Sequence, residues 1–333
     1  MQAFIKAITY ALPDLVVTNE DLVREFPEWS VDKIADKVGI DKRHIVAENE
    51  TSTDLAVEAA EKLFDEYPEI SRESVDFILF CTQSPDYFLP TSACVIQDKL
   101  GLPTSCGALD FNLGCSGYVY GLSLAKGLIL GGIASNVLFL TGETYSKFMH
   151  PKDKGNRTIF GDAGSASLIS SEGFAEIGNF SLGTDGRGAE NLIVKTGGMR
   201  NRKQLNDLLY DENGAPRSSD DLYMNGAEIF NFTIDAVPPL IANTLIKNNL
   251  SSEDINGYIF HQANKFIINF LRKKIKIEPE KFFMYMSEVG NTVSNSIPIV
   301  ITEKLKEKAI NGNIAGFGVG YSWAGCMIKI KIE

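Results

Sequence analysis

The sequence predicts an α/β fold, on three observations. Short β-rich apolar runs alternate with longer segments of helical period, the pattern of parallel strands joined by crossover helices. The order of elements in the first half recurs in the second. The composition suits a large buried core: 44% of residues are hydrophobic, 23% are charged, and the 29 glycines and 12 prolines show no period. At 333 residues the chain is long enough for about two domains of roughly 150 each.

Taken in order, Ser52 to Phe64 is the first clear helix. Leu55, Ala56, Ala59, Ala60 and Leu63 share one face, and Thr51-Ser52-Thr53-Asp54 supplies its cap. Val75 to Cys81 (VDFILFC) follows as a buried strand, then Thr91 to Leu100 as a helix and Ala108 to Leu113 as a strand. Gly117 to Leu130 reads as a long helix rich in Gly, Ala and Leu, and Asn136 to Thr141 as another buried strand. Gly161 to Ser170 (GDAGSASLIS) closes the first half.

The second half runs parallel to it. EDINGYIFHQAN (Glu253 to Asn264) aligns without a gap on ESVDFILFCTQS (Glu73 to Ser84): an acidic start, a spacer, a strand, a polar turn. A helix over Asn295 to Ala309 follows a glycine turn, and Asn313 to Ile332 holds two apolar runs around FGVGYSWAG. The repeat predicts two βαβ-rich halves, 1–172 and 173–333, packed about a pseudo-dyad with sites where they meet. Residues 195–222 are charged and turn-rich, a surface excursion that is either a lid-like loop or a plain solvated insertion.

Charge and cysteine usage exclude several classes of function. A net charge of −11 opposes broad attraction to nucleic acid or an anionic membrane. The five cysteines form no CxxC pair and lie in apolar surroundings, and three histidines are too few for the usual Cys/His metal spacing, so no metal is expected. The first residues lack a basic segment, apolar run and cleavage site, and no uncharged apolar stretch approaches 18 residues. The expected compartment is a reducing cytoplasm.

Three residues stand where chemistry is possible. Cys115, in DFNLGCSGYVYGL, sits between a strand and a helix that begins at Ser116 or Gly117. A helix amino terminus stabilises thiolate, so a lowered thiol pKa is expected there; a buried structural role is the commoner fate of a free cysteine. Cys81, Cys94, Cys106 and Cys326 lack that context and read as core. His261 ends the strand GYIFHQAN, at the carboxyl end where open parallel sheets place their sites, although a structural histidine also fits. His44 and His150 read as surface residues. Asn291, in SEVGNTVSNSIP, either caps the following helix or donates its amide to a carbonyl oxygen beside His261. The stretch Gly316 to Gly325 lacks the spacing of a dinucleotide or Walker loop and reads as a source of oxyanion-binding N–H groups.

Together, Cys115, His261 and Asn291 resemble the thiolase-fold condensing enzymes, specifically the ketoacyl-acyl-carrier-protein synthase III family. GIDKRHI, TSTDLAVEAA, Pro90-Thr91-Ser92-Ala93-Cys94, GCSGYVYGLSLA, RTIFGDAGSA, MNGAEIF, HQAN, GNTVSNSIP and FGVGYSWAG occur in the family's order and approximate spacing. The resemblance implies a five-layered αβαβα fold. It implies Cys115 as acyl-accepting nucleophile, His261 and Asn291 as the pair assisting decarboxylation, and the backbone N–H groups of Cys115 and Val319 as the oxyanion site. Val319 stands where the family more often has glycine.

The same resemblance places Arg157 on one side of a coenzyme A adenine, with Lys33 in place of the usual tryptophan on the other. Asn264 and Ala227 match pantetheine-arm positions, and Leu89 the residue a dimer partner inserts at the end of the acyl pocket. Lys265, Arg272, Lys273 and Lys274 form a basic cluster after HQAN that reads as a solvated helix face or as a carrier-protein docking surface, while Phe266 replaces the family's docking arginine. The implied substrates are acyl thioesters on coenzyme A or carrier protein, and malonyl-carrier protein. The implied partners are acyl carrier protein and a second copy of the chain, with no permanently bound cofactor. Other readings are acyl transfer from Cys115 to an amine or alcohol, a papain-like protease with the same Cys, His, Asn order, and a non-catalytic thioester-binding or scaffold protein.

Overall fold

The computed structural model describes residues 2–212 and 214–331. The outer limits of the expected halves, Met1 and Glu333, lie outside the described residues, as do Asn213 of the excursion and Ile332 at the end of the last expected run.

A nine-stranded sheet runs in the order Gly257–Phe260, Ile310–Gly318, Ser322–Ile330, Ala175–Thr184, Phe4–Ala11, Ala163–Ser170, Asn136–Glu143, Phe77–Cys81, Gly107–Phe111. Its middle seam, between Phe4–Ala11 and Ala175–Thr184, is held by two residue pairs, Phe4 with Glu176 and Ile5 with Ala175. The sheet is therefore two sheets joined at a narrow seam. Counted outward from the seam, the first sheet uses its strands in the chain order first, fifth, fourth, second, third. The second repeats that order, and an isolated parallel bridge between Tyr258 and Phe282 marks the place of its third member. The resemblance seen between Glu73–Ser84 and Glu253–Asn264 thus reflects a shared topology: Phe77–Cys81 and Gly257–Phe260 occupy the same position, each parallel to its neighbours.

Three apolar layers hold this frame. Leu55, Ala56, Ala59, Ala60 and Leu63 of helix Ser52–Glu66, with Ala93 and Ile96 of helix Ser92–Lys99, cover the outer face of the first sheet. Helices Gly117–Leu130 and Ser296–Lys304 fill the space between the sheets, through Val119, Leu122, Ala125, Ile297, Val300 and Ile301. Helices Gly226–Lys247 and Lys265–Ile275 cover the second sheet with Val237, Leu240, Ile241, Ile268 and Leu271. The result is five layers, αβαβα. Helix Gly226–Lys247 is long and apolar enough to cross a membrane by length and composition; here its buried face packs on the sheet.

Local chemistry explains the element boundaries. Thr51 and Asp54 form the expected capping box, the Asp54 N–H donating to Thr51 Oγ1 at 3.3 Å and the Thr51 N–H to Asp54 Oδ2 at 3.1 Å. Helix Ser92–Lys99 starts without a side-chain cap of its own, because Asp110 accepts from the N–H groups of Ser92 and Ala93 at 2.6 and 2.7 Å. The last helix is Ser296–Lys304, shorter than the expected span to Ala309, because the chain enters strand Ile310–Gly318. The excursion at 195–222 folds back on itself through the hairpin Leu209–Tyr210 and Pro216–Arg217, with Thr196 and Leu222 buried.

One close approach is decisive for the first lobe. A Cβ at Gly164 would lie 2.4 Å from the backbone of Leu55, so strand and helix touch main chain to main chain. Gly164→Ala is expected to push the helix off the sheet and destabilise the protein by about 1–3 kcal/mol, read as a lower urea midpoint at unchanged slope.

Candidate active site

The strand Gly107–Phe111 delivers the chain to Gly114, Cys115 and Ser116, from which helix Gly117–Leu130 departs. A Cβ at Gly114 would lie 2.4 Å from Gln83 Oε1 and 2.9 Å from Val319 Cγ1, so the chain passes close beneath those two side chains. From the second lobe, strand Ile310–Gly318 brings its backbone against the thiol, and a Cβ on Gly318 would stand 2.9 Å from Cys115 Sγ. The backbone N–H groups of Cys115 and Val319 both act on the sulfur to favour its thiolate. Two main-chain donors from opposite lobes therefore converge on one reactive atom, the arrangement a developing oxyanion needs.

The thiol pKa runs against expectation. Burial raises it, and the carboxyl of Glu143 raises it further; the two N–H groups oppose this without overcoming it, and the value stands at about 12. Desolvation of a fully enclosed sulfur outweighs the helix amino terminus, so the resting group is a thiol that must hand its proton to a base.

His261 follows strand Gly257–Phe260, with its N–H donating to the Ala315 carbonyl at 2.8 Å. The ring meets Phe317 edge to face at 5.8 Å, and Nδ1 lies 2.8 Å from Ser296 Oγ. Burial lowers its pKa to about 3, partly opposed by the Val293 carbonyl, so the imidazole is neutral. Asn291 does not cap helix Ser296–Lys304, whose cap position is Asn295. Instead its Oδ1 accepts from the Val293 N–H at 3.0 Å, while its main chain bonds Ile159 and Gly161. The carbonyl end of the amide is thereby occupied and Nδ2 is the end left to donate. Val293, at φ 54°, ties the parts together: it packs in one cluster with Cys115, Tyr145 and Phe160, donates to Asn291, and turns its carbonyl to His261.

Two participants were not singled out in the sequence. Glu143, fully buried at the end of strand Asn136–Glu143, accepts from the Gln83 N–H at 3.1 Å and Ser294 Oγ at 3.0 Å. Burial raises its pKa to about 8. An acid closing an apolar strand was its signal. Ser296, beneath the imidazole, gave none, because its role depends on a partner 35 positions away.

The remaining expected positions are scattered around the rim. Arg157 is held in a bidentate pair by Glu25, bonds the Pro151 carbonyl and lies over Phe26, while Lys33 lies over Trp29. Asn264 caps helix Lys265–Ile275 through Ile267 and lines a cleft of about 670 Å³ with Lys37, Lys265, Phe266, Phe270 and Lys273. Arg272 does not join that cleft; its guanidinium bonds the Ile277 carbonyl and finishes its own helix, and Lys274 is exposed beside it. Ala227 is exposed on the first turn of helix Gly226–Lys247, and Leu89 is 81% exposed on a loop with Tyr87 and Phe88. Of the other cysteines, Cys81 and Cys326 are core, whereas Cys94 is exposed and Cys106 half-buried, since the ends of a short helix and strand are not covered. His44 and His150 are half-buried, and His44 Nδ1 is 2.6 Å from the Pro13 carbonyl.

Known proteins share this architecture. Residues 109–186 match the family model described as 3-oxoacyl-[acyl-carrier-protein] synthase III, and residues 245–330 match its C-terminal counterpart. A β-ketoacyl-[acyl-carrier-protein] synthase III of Clostridium perfringens is 38% identical over 323 residues, covering 96% of each chain. A solved 3-oxoacyl-(acyl-carrier-protein) synthase III superposes with a TM-score of 0.95 at 46% identity, covering 99% of this chain and all of that one. A 3-oxoacyl-(acyl-carrier protein) synthase from Burkholderia xenovorans gives 0.91 at 38% identity, over 99% of this chain and 94% of its own. With a thiolase-like αβαβα fold, matching models in both lobes and that identity along nearly its whole length, the chain belongs to the 3-oxoacyl-[acyl-carrier-protein] synthase III family and is an acyltransferase of that kind.

Proposed function

We propose that the chain takes an acyl group from a thioester primer onto Cys115 and condenses it with malonyl-acyl-carrier protein, releasing carbon dioxide and a 3-oxoacyl thioester. The sulfur attacks the primer carbonyl, and the acyl-enzyme divides a difficult condensation into two easier steps. Malonyl thioester then loses carbon dioxide, and its enolate oxygen is met by Asn291 Nδ2 and His261 Nε2. The enolate carbon attacks acyl-Cys115, whose oxygen is held by the N–H groups of Cys115 and Val319.

The observation that carries this reading is the orientation of Asn291: its oxygen is taken by the Val293 N–H, which leaves the amide nitrogen to donate, and Val293 packs in one cluster with Cys115. Transfer to an amine or alcohol needs the second set of donors far less, because no enolate forms. A papain-like protease is set aside by the family and the fold.

Several finer features belong to the same proposal. The catalytic halves divide at 172/173. The primer arrives on coenzyme A or on carrier protein; the stacking of Arg157 on Phe26 supports the second, since that ring already covers one face of the guanidinium on which an adenine would lie. Asn264 and Ala227 border the pantetheine arm, and Lys265, Lys273 and Lys274 face the acidic carrier protein, with Arg272 serving its helix. A homodimer is supported by the free edge of strand Gly107–Phe111, where Leu109 is exposed, and by the apolar loop ending in Leu89. The enzyme works in the cytoplasm without a bound cofactor.

Intact-mass measurement tests the proposal. Incubation with acyl-coenzyme A or acyl-carrier protein should add one acyl group, and malonyl-carrier protein should then remove it with release of carbon dioxide. Labelling without carbon dioxide favours the simple transferase, and no labelling by any acyl thioester favours the non-catalytic reading.

A further inference from the structure

Three groups meet on the hydroxyl of Ser296. The Gln262 N–H points at Oγ from 3.3 Å, the Val293 carbonyl lies 3.0 Å away, and His261 Nδ1 lies at 2.8 Å. Ser296, His261 and Gln262 are all buried, so no bulk water stands in for a missing partner. A hydroxyl has one proton and two lone pairs, an amide N–H only donates, and a carbonyl only accepts. One distribution makes all three contacts hydrogen bonds: Gln262 donates to Oγ, Oγ donates to Val293, and the lone pair that remains faces Nδ1. Turning the hydroxyl proton towards Nδ1 instead would leave Val293 its bond from the Ser296 N–H but set two oxygen lone pairs against each other at 3.0 Å. The proton between ring and serine therefore belongs to Nδ1.

We propose that Ser296 is a positioning residue that holds His261 in the Nδ1–H tautomer, so that Nε2 offers its lone pair to the Cys115 thiol proton. The inference rests on the condensing reading above and deepens it. The ring is placed for this role: it packs edge to face on Phe317, and the next residue, Gly318, is the one whose Cβ would lie 2.9 Å from the sulfur.

The steps balance. In acyl transfer the thiol proton moves to Nε2, a bond forms between Cys115 Sγ and the acyl carbon, and the bond from that carbon to the donor sulfur breaks. The donor sulfur leaves with the electron pair and takes the proton from Nε2. Decarboxylative condensation consumes one proton from solution overall. That proton enters on Nε2, is donated to the enolate oxygen, and ends on the Cys115 thiolate released when the ketone forms. A histidine fixed as Nε2–H could serve the second step alone.

The test is a long-range ¹H–¹⁵N spectrum of the full chain labelled with ¹⁵N-histidine. Only three histidines are present, and the His261 signal is the one missing from His261→Asn. At pH 7 the wild-type ring should show a protonated Nδ1 and a bare Nε2. Ser296→Ala should convert this to a tautomer mixture and slow Cys115 acylation about tenfold, and Ser296→Thr, which restores a hydroxyl, should recover both. A protonated Nε2 in the wild type, or an unchanged tautomer in Ser296→Ala, overturns the proposal. The wild-type spectrum decides alone should Ser296→Ala not fold. If Cys115 accepts no acyl group from any thioester, the condensing reading fails while the tautomer result still stands.

Discussion

Cys115→Ala should accept no acyl group from any thioester and should lose condensation by at least about 10⁴-fold, the scale seen when a covalent nucleophile is removed. The change is clean in structural terms. Cys115 is 6% exposed, and alanine only removes the sulfur without adding a contact to the Gly318 backbone. The N–H donors of Cys115 and Val319 are main-chain and survive it. Cys81 offers no substitute: its thiol is fully buried and donates to the Leu113 carbonyl at 3.0 Å. The variant should therefore unfold at a urea concentration close to that of the parent while its mass stays unchanged after incubation with acyl donors. An acyl adduct on the alanine variant would move the nucleophile elsewhere and remove the basis of the mechanism.

The high resting pKa of that thiol changes how activation is understood. A helix amino terminus offers partial positive charge, but the site is closed, and Glu143 lies behind it with no Lys or Arg salt-bridge partner among the described residues. At neutral pH Glu143 is itself mostly protonated, which keeps its opposition to thiolate small. Nucleophile and acid are thus both neutral at rest, and charge appears only when substrate is present. A base that is neutral and correctly protonated on its far nitrogen fits such a site better than a standing thiolate would.

How much of this was legible in the sequence follows from which interactions are local. Helix Ser52–Glu66 announces itself through a five-residue apolar face and a capping box four residues long, and both survive intact in the fold. The repeat was readable at Glu253–Asn264 because the strand and its polar turn are contiguous. Its third strand was not: the place of Gly107–Phe111 is taken in the second lobe by a single bridge at Phe282. At the site, Cys115 and His261 could be found from the strand ends that carry them. The sign of the thiol pKa could not, because burial by residues of the other lobe decides it. Arg272 and Asn264 carry a second task that the sequence did not show: each gives a donor or acceptor to its own helix end. Ser296 is invisible until the chain brings it under the imidazole.

Asn291 provides the sharper discrimination between condensation and simple transfer. Asn291→Ala should leave acylation of Cys115 nearly intact but slow carbon dioxide release from malonyl-carrier protein by about 10²–10³-fold, the usual effect of removing one oxyanion donor. Alanine also deprives the Val293 N–H of its acceptor at a backbone of positive φ, so a second variant is needed to separate donation from local loosening. Asn291→Asp supplies it. The carboxylate keeps an oxygen for Val293 but offers the enolate a negative charge where an N–H stood, so decarboxylation should fall further than in the alanine variant although the loop stays anchored. Single-turnover release of labelled carbon dioxide from pre-acylated enzyme measures the step directly. Undiminished release in both variants would show that the amide does not touch the enolate, and the case for condensation would then rest on His261 alone.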